Sequence, residues 1–167
     1  AVYQLEHYNI RYQPDADNDP YTWAVRGKER SRGLEFTLTG RLVDDWYVRG
    51  GVGLTQAKVV SDVAQPELTG KKLRNVARRN GNLFVRYAPE GAWYGEVGVT
   101  HASPRWLNAA NTQELPGYTR WDAMVGWRQA PWTVTLGITN LTDRTYWRAS
   151  NMPGTPRTVL MTANYQF

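Results

Sequence analysis

Through much of the chain, apolar residues fall at every second position. Val159, Met161, Ala163, Tyr165 and Phe167 alternate with Thr158, Leu160, Thr162, Asn164 and Gln166. Trp132, Val134, Leu136 and Ile138 alternate with Thr133, Thr135, Gly137 and Thr139. Trp121, Ala123, Val125 and Trp127 alternate with Asp122, Met124, Gly126 and Arg128, and Leu83, Val85 and Tyr87 with Phe84 and Arg86. A period of two puts one kind of side chain on each side of a β-strand. Weaker versions cover residues 93–99, 46–54 and 34–42, and the opening residues form a further strand. The pattern predicts about eight strands of roughly ten residues, the length of a tilted strand crossing a bilayer.

The connections sort into two kinds. Tight ones fall at Val43-Asp44-Asp45, Pro89-Glu90-Gly91-Ala92 and Gln129-Ala130-Pro131. Between them lie long polar stretches near residues 13–32, 61–74, 103–119 and 142–156. Strict alternation of short and long places every tight turn at one end of an up-and-down sheet and every long loop at the other. Outer-membrane barrels are built this way, with short periplasmic turns and long extracellular loops.

Aromatic residues reinforce that layout. Trp46, Tyr47, Tyr87, Trp93, Tyr94, Trp127, Trp132 and Phe167 lie beside the tight turns or at the terminus, whereas Trp106, Tyr118, Trp121, Tyr146 and Trp147 lie towards the long loops. Two girdles around an apolar band are expected of a barrel in lipid. The face opposite the apolar one carries Glu35, Arg41, Arg49, Arg86, Arg120, Asp122 and Arg128. A dry sandwich interior would not hold so many charges, and a watery or plugged lumen would. The competing reading is a soluble sheet with one solvated face, which needs covering helices the sequence does not supply.

Composition narrows the chemistry. With no cysteine and only His7 and His101 for imidazole, disulfides, thiol nucleophiles and most histidine-rich metal centres are excluded. Mean hydropathy is −0.59, and no apolar run is long enough for a membrane helix, which says little about strands that are only half apolar. The opening AVYQLEHYNI lacks the charged and apolar regions of a secretory signal, so a signal is expected to have been removed or the chain to begin within a longer protein.

Enzyme motifs are weak, and no catalytic or metal-ligating residue is assigned. Asp15, Asp17 and Asp19 imitate the start of a calcium loop, but Pro20 replaces the required glycine and Arg26 the bidentate acid. Gly70-Lys71-Lys72 lacks the rest of a phosphate loop, and the glycines at 50, 51 and 53 fall mid-strand with no helix to follow. The net charge is +5, and Lys71, Lys72, Arg74, Arg78 and Arg79 cluster in one stretch. On a loop and strand top they suit lipopolysaccharide phosphates or the lumen better than nucleic acid.

Several stretches, in order, resemble the C-terminal part of TonB-dependent outer-membrane receptors of the ferric siderophore type. ERSRGLEFTLTGRL (29–42) and DWYVRGGVGLTQAKVV (45–60) look like two consecutive strands of that family. GKKLRNVARRNGNLFVRY (70–87) is similar to its loop and strand, with Ala77 where proline is usual. LPGYTRWDAMVGWR (115–128), ITNLTDRTYW (138–147) and PGTPRTVLMTANYQF (153–167) resemble its closing segments. The resemblance implies an all-β, antiparallel up-and-down transmembrane β-barrel in the bacterial outer membrane, with residues 1–167 supplying the last eight or so of about 22 strands. The plug and the TonB-binding box have no counterpart in these residues, so a fragment or truncated receptor is expected. A self-contained eight-stranded barrel without transport is the alternative.

By the same resemblance the cargo is a ferric siderophore, held by its own oxygens, so that no protein cofactor is needed. Tyr146 and Trp147 lead the candidates for contacting it, followed by Arg148, Arg105, Trp106, Tyr21 and Trp23. Aromatic and cationic groups suit a bulky anionic chelate. Tyr165 and Phe167, closing the last strand, resemble the signal read by barrel-assembly machinery.

Overall fold

The computed structural model describes residues 1–13, 17–19, 21–25, 27–149 and 152–167. Asp15, Pro20 and Arg26 of the calcium-like stretch lie outside the described residues. One sheet of eight strands dominates. The strands are β1 (Val2–Tyr8), β2 (Lys28–Val43), β3 (Trp46–Ser61), β4 (Arg79–Tyr87), β5 (Trp93–Ala102), β6 (Tyr118–Gln129), β7 (Trp132–Thr139) and β8 (Thr158–Tyr165). Each pairs antiparallel with its neighbours in sequence, and β1 and β8 are the two edges. Tight turns join β2 to β3, β4 to β5 and β6 to β7, and long loops join the rest, as the spacing predicts. At the first turn Asp45 takes φ 65°, a left-handed conformation that Asp tolerates better than most residues.

Register separates two faces. Cross-strand partners Val48–Val85, Val85–Val97, Val97–Ala123, Ala123–Ile138 and Ile138–Val159 form a row running across the sheet. The row nearer the turns is Trp46, Tyr87, Gly95, Val125, Leu136 and Met161, and it leads to Trp93–Trp127 and Trp132–Tyr165 at the turn end. This face has no second layer. Leu34, Phe36, Val52, Leu83, Val97, Val125, Leu136, Val159 and Met161 are 39–66% exposed, and the one helical element among the described residues is the short turn Pro66–Leu68. A water-soluble sheet would not leave so large an apolar surface open. Lipid supplies the missing layer. Trp46 packs on Tyr87 at 4.9 Å between ring centroids, and Trp132 on Tyr165 at the same distance, so the turn-end girdle lies on this outer face.

On the inner face, large side chains lie across glycines on the next strand. A Cβ at Gly98 would fall 2.2 Å from the Phe84 ring, and one at Gly126 would fall 2.1 Å from Cζ of Tyr94. Both pairs are direct register partners, and only glycine leaves room for the ring to lie flat.

Two expectations need correction. Strands β2 and β3 run 16 residues each, well beyond the alternation at 34–42 and 46–54. Their added ends pair Arg30 with Lys58 and Arg32 with Gln56, polar residues that continue the ladder above the apolar band. Nearness to the turns and loops puts Tyr47, Tyr94 and Tyr118 in the lipid girdles, but register turns them to the inner face, beside Arg86, Gly126 and Ala102.

Candidate ligand-binding loops

The inner wall near the tight turns is strongly cationic. Arg49 lies 4.2 Å from the Phe84 ring centroid and pairs with Glu96 at 2.7 Å. Arg86 and Arg128 share the Tyr94 ring, at 4.9 and 5.6 Å from its centroid, and Arg128 donates to the Pro89 carbonyl at 2.7 Å. Arg41, Arg49, Arg86 and Arg128, with Phe84 and Glu96, line a depression of about 580 Å³. Arg41 is paired with Asp44. The Tyr94 hydroxyl shares a hydrogen bond with the Thr135 hydroxyl at 3.1 Å.

At the other end the long loops carry short ribbons of their own. Arg11–Tyr12 pairs with Ala24–Val25, Arg105–Trp106 with Glu114–Leu115, and Trp147–Ala149 with Met152–Pro153. In the first loop, Asp19 accepts from the amides of Tyr21 and Thr22. The Thr22 side chain, and then those two amides, hold its carboxyl below the usual carboxylate range.

Three of the loops are stitched together. Asn111 Oδ1 accepts from the Lys72 amide at 2.8 Å, and Asn111 Nδ2 donates back to the Lys72 carbonyl at 2.9 Å. The Asn75 amide donates to the Trp106 carbonyl at 2.8 Å. Arg105 Nη2 donates to the Trp147 carbonyl at 3.1 Å and also to that of Arg148. The base of the last loop is closed by Asn140, which is 0% exposed. Its side chain donates to the carbonyls of Arg144 and Thr155 and accepts from the Arg144 amide. Its left-handed φ of 57° is one that Asn accepts more readily than most.

The residues singled out from sequence fall into three positions. Tyr146 is 5% exposed, stacked on Tyr118 with 4.3 Å between centroids. Its ring lies over Gly154, and its hydroxyl accepts from Arg120 Nη1 at 3.0 Å. Arg105 is 7% exposed with its guanidinium on the two carbonyls, so both side chains face protein. Trp147 and Arg148, the residues between these anchors, are exposed, and Trp106 is half-buried with the Lys72 ammonium 6.0 Å from its ring centroid. Tyr21 and Trp23 are exposed on the first loop, at the opposite side of the sheet order. Sequence reasoning missed Asn140, Asn111 and Gly154, and it read Arg120 and Asp122 only as inner-face charges. Arg120 instead bridges Asp122, at 2.8 Å, and Tyr146, while Asp122 Oδ1 accepts from the Asn140 amide at 2.9 Å. Among the described residues no group of three or more His, Cys, Asp or Glu is placed to hold a metal ion.

Residues 1–141 match the family described as TonB dependent receptor-like, beta-barrel. Among curated proteins, the chain is 25% identical over 156 residues to a probable TonB-dependent siderophore receptor, PiuA, of Acinetobacter baumannii, covering 87% of this chain and 20% of the relative. It is 28% identical over 173 residues to the catecholate siderophore receptor Fiu of Escherichia coli K12, covering 90% and 21%. The crystal structure of PiuA superposes with a TM-score of 0.87 at 22% identity, over 98% of this chain and 25% of that one. Closed Fiu gives 0.80 at 27%, over 99% and 24%. The chain therefore spans about a fifth of the length of these curated relatives. It is a segment of an outer-membrane β-barrel, and it belongs to the TonB-dependent receptor family.

Proposed function

We propose that this chain is the C-terminal wall of a receptor that carries a ferric siderophore across the outer membrane, a transporter rather than an enzyme. The observation that carries the reading is the placement of Trp147 and Arg148. They stand exposed on a loop fastened beneath by Tyr146 and beside by Arg105, above a barrel wall whose inner face is cationic. An aromatic ring beside a guanidinium suits a bulky, anionic iron chelate. Trp106, Tyr21 and Trp23 line further parts of the same loop crown, and Tyr146 and Arg105 act from behind it. Names of the relatives agree: Fiu is called a catecholate siderophore receptor, and a protein of Salmonella typhimurium that is 27% identical is called the ferrioxamine B receptor.

Three partners complete the reading. TonB would engage through regions outside these residues. Lipopolysaccharide phosphates would meet the outer-face cations Arg30, Arg32 and Lys58, with the neighbouring Lys71, Lys72, Arg74, Arg78 and Arg79, just above the apolar band. Barrel-assembly machinery would read the final strand through Tyr165 and Phe167, whose rings sit 5.1 Å apart.

The test is uptake of radioactive iron by cells carrying the full-length receptor, offered ferric catecholates and ferric hydroxamates in turn. Trp147→Ala combined with Arg148→Ala should lower affinity for the preferred chelate about tenfold, without changing receptor abundance in the outer membrane. If deleting the whole receptor leaves uptake of every ferric chelate unchanged, the transport reading is wrong.

A further inference from the structure

We infer that Arg105 is a positioning residue, which sets the place of Trp147 and Arg148 by holding their carbonyls from the neighbouring loop. The inference rests on the reading of those two residues as ligand contacts. Arg105 is nine-tenths buried, and among the described residues no carboxylate forms an ion pair with it. Burying an unpaired guanidinium is unfavourable unless strong acceptors replace water. Here the acceptors are two consecutive main-chain carbonyls, 42 and 43 residues away in sequence. One nitrogen, Nη2, donates to both, and its two N–H groups are held in the guanidinium plane, a fixed direction that a freely rotating lysine ammonium does not keep.

The arginine is itself well founded. It begins the ribbon Arg105–Trp106, paired with Glu114–Leu115, and Leu115 is buried. That ribbon is tied in turn to residues 62–78 through Asn111 with Lys72 and through the Trp106 carbonyl. On the far side, Tyr146 is pinned to β6 by Tyr118 and Arg120. The peptide units of Trp147 and Arg148 therefore hang between two anchors while their side chains remain exposed. Tyr146 fixes where the segment leaves the barrel, and Arg105 fixes which way it turns. Without Arg105 the segment keeps one anchor and gains freedom to swing, so that ligand binding must first order it.

The experiment uses the full-length receptor in detergent, with Arg105→Met, which keeps the apolar stem, and Arg105→Lys, which keeps a donor and the charge. Hydrogen–deuterium exchange comes first and needs no ligand. Arg105→Met should speed exchange of amides in residues 144–155 at least tenfold, Arg105→Lys should fall between it and the parent, and β6 should not change. Unchanged exchange in the loop overturns the inference.

Binding is then measured with ferrioxamine B and with the ferric complex of 2,3-dihydroxybenzoate. Whichever probe the parent binds, Arg105→Met should weaken it about tenfold, or about 1.4 kcal/mol. The same change made in a Trp147→Ala, Arg148→Ala background should add nothing further. Faster loop exchange with full affinity in Arg105→Met overturns the positioning role. If Trp147→Ala with Arg148→Ala leaves binding intact, the ligand-contact reading fails instead, and the positioning role fails with it while the clamp between loops stands.

Discussion

Adjacent residues on β8 offer a direct test of which medium each face meets. Leu160 and Met161 are similar in size and hydrophobicity, and they are 67% and 66% exposed. Register turns them to opposite faces, Met161 opposite Leu136 on the outer side and Leu160 opposite Gly137 on the inner. Met161 lies four positions from Tyr165 in the girdle, about 14 Å along a strand rising ~3.4 Å per residue. At a tilt near 40° that is a depth of about 10 Å, close to the middle of an apolar band ~25 Å tall. Arginine at that depth costs about 2–4 kcal/mol. Met161→Arg should therefore lower the folding equilibrium constant roughly 30- to 700-fold, at ~1.4 kcal/mol per decade. Leu160→Arg, facing the lumen, should change it by less than about 0.5 kcal/mol. Urea titration of the full-length barrel in phospholipid vesicles, followed by tryptophan fluorescence, reads both values. Equal effects from the two substitutions would refute the lipid-facing assignment and the transport reading with it.

Other expectations follow from local geometry. Gly126→Ala should cost about 1–3 kcal/mol because the new methyl meets the Tyr94 ring, whereas Gly40→Ala, with nothing within 4 Å, should be neutral in the same urea assay. Asn140→Ala removes three bonds that close the last loop and should destabilise it by roughly 2–3 kcal/mol, seen as faster proteolysis within residues 140–157. The Asp19 carboxyl is held below its ordinary range in the folded loop, so the order it gives is complete above the unfolded-state value. That order is lost as pH falls through the folded one, so the protection factors of the Tyr21 and Thr22 amides, with the intrinsic pH dependence of exchange divided out, should drop only there and be flat with pH in Asp19→Asn. Deleting Phe167 should lower the amount of receptor reaching the outer membrane while leaving the urea midpoint of the purified protein nearly unchanged.

Legibility from sequence tracked the lipid. Where one face meets hydrocarbon, the period of two is sharp, and residues 83–87, 121–127, 132–138 and 159–165 were readable without a structure. Once a strand rises above the apolar band the constraint lapses. Lys28, Arg30, Arg32, Gln56 and Lys58 are ladder residues with no alternation to betray them: by period alone the first three read as loop and the last two as the gap after a strand, and only the family resemblance over 29–42 and 45–60 extends the strands to cover all but Lys28. Tyr94 shows a second limit. Nearness to a tight turn says that an aromatic lies at the right height, but only parity along the strand says which face it is on, and Trp93 and Tyr94 have opposite parity. The loop crown was least legible, because its contacts join residues dozens of positions apart. Nothing local to Arg105 marks it as a partner of Trp147, and nothing local to Tyr146 says that Arg120 takes its hydroxyl. The cross-strand pairing of a bulky ring with glycine, Phe84 with Gly98 and Tyr94 with Gly126, is a pattern that strand alignment from the turns inward would have found.

The bilayer that orients the faces also decides what the edges require. Strands β1 and β8 are not paired with each other, and each turns one side of its backbone outward from the sheet. In an antiparallel strand, alternate residues direct their N–H and C=O to the same edge, so the eight residues of β8 leave about four of each unpaired there. In hydrocarbon each costs several kcal/mol, which sums to tens for one edge against a whole-domain stability of about 5–15 kcal/mol. The sheet is stable in a bilayer only when further strands take up both edges. Relatives that share its fold are some four to five times longer, and they have the chain to supply them. The contacts of Arg105, Tyr146 and Asn140 lie within residues 103–157, so none of them uses the open side of either edge strand. The anchoring of Trp147 and Arg148 is thus set within this segment, while the sheet's standing in the membrane depends on strands that complete the ring.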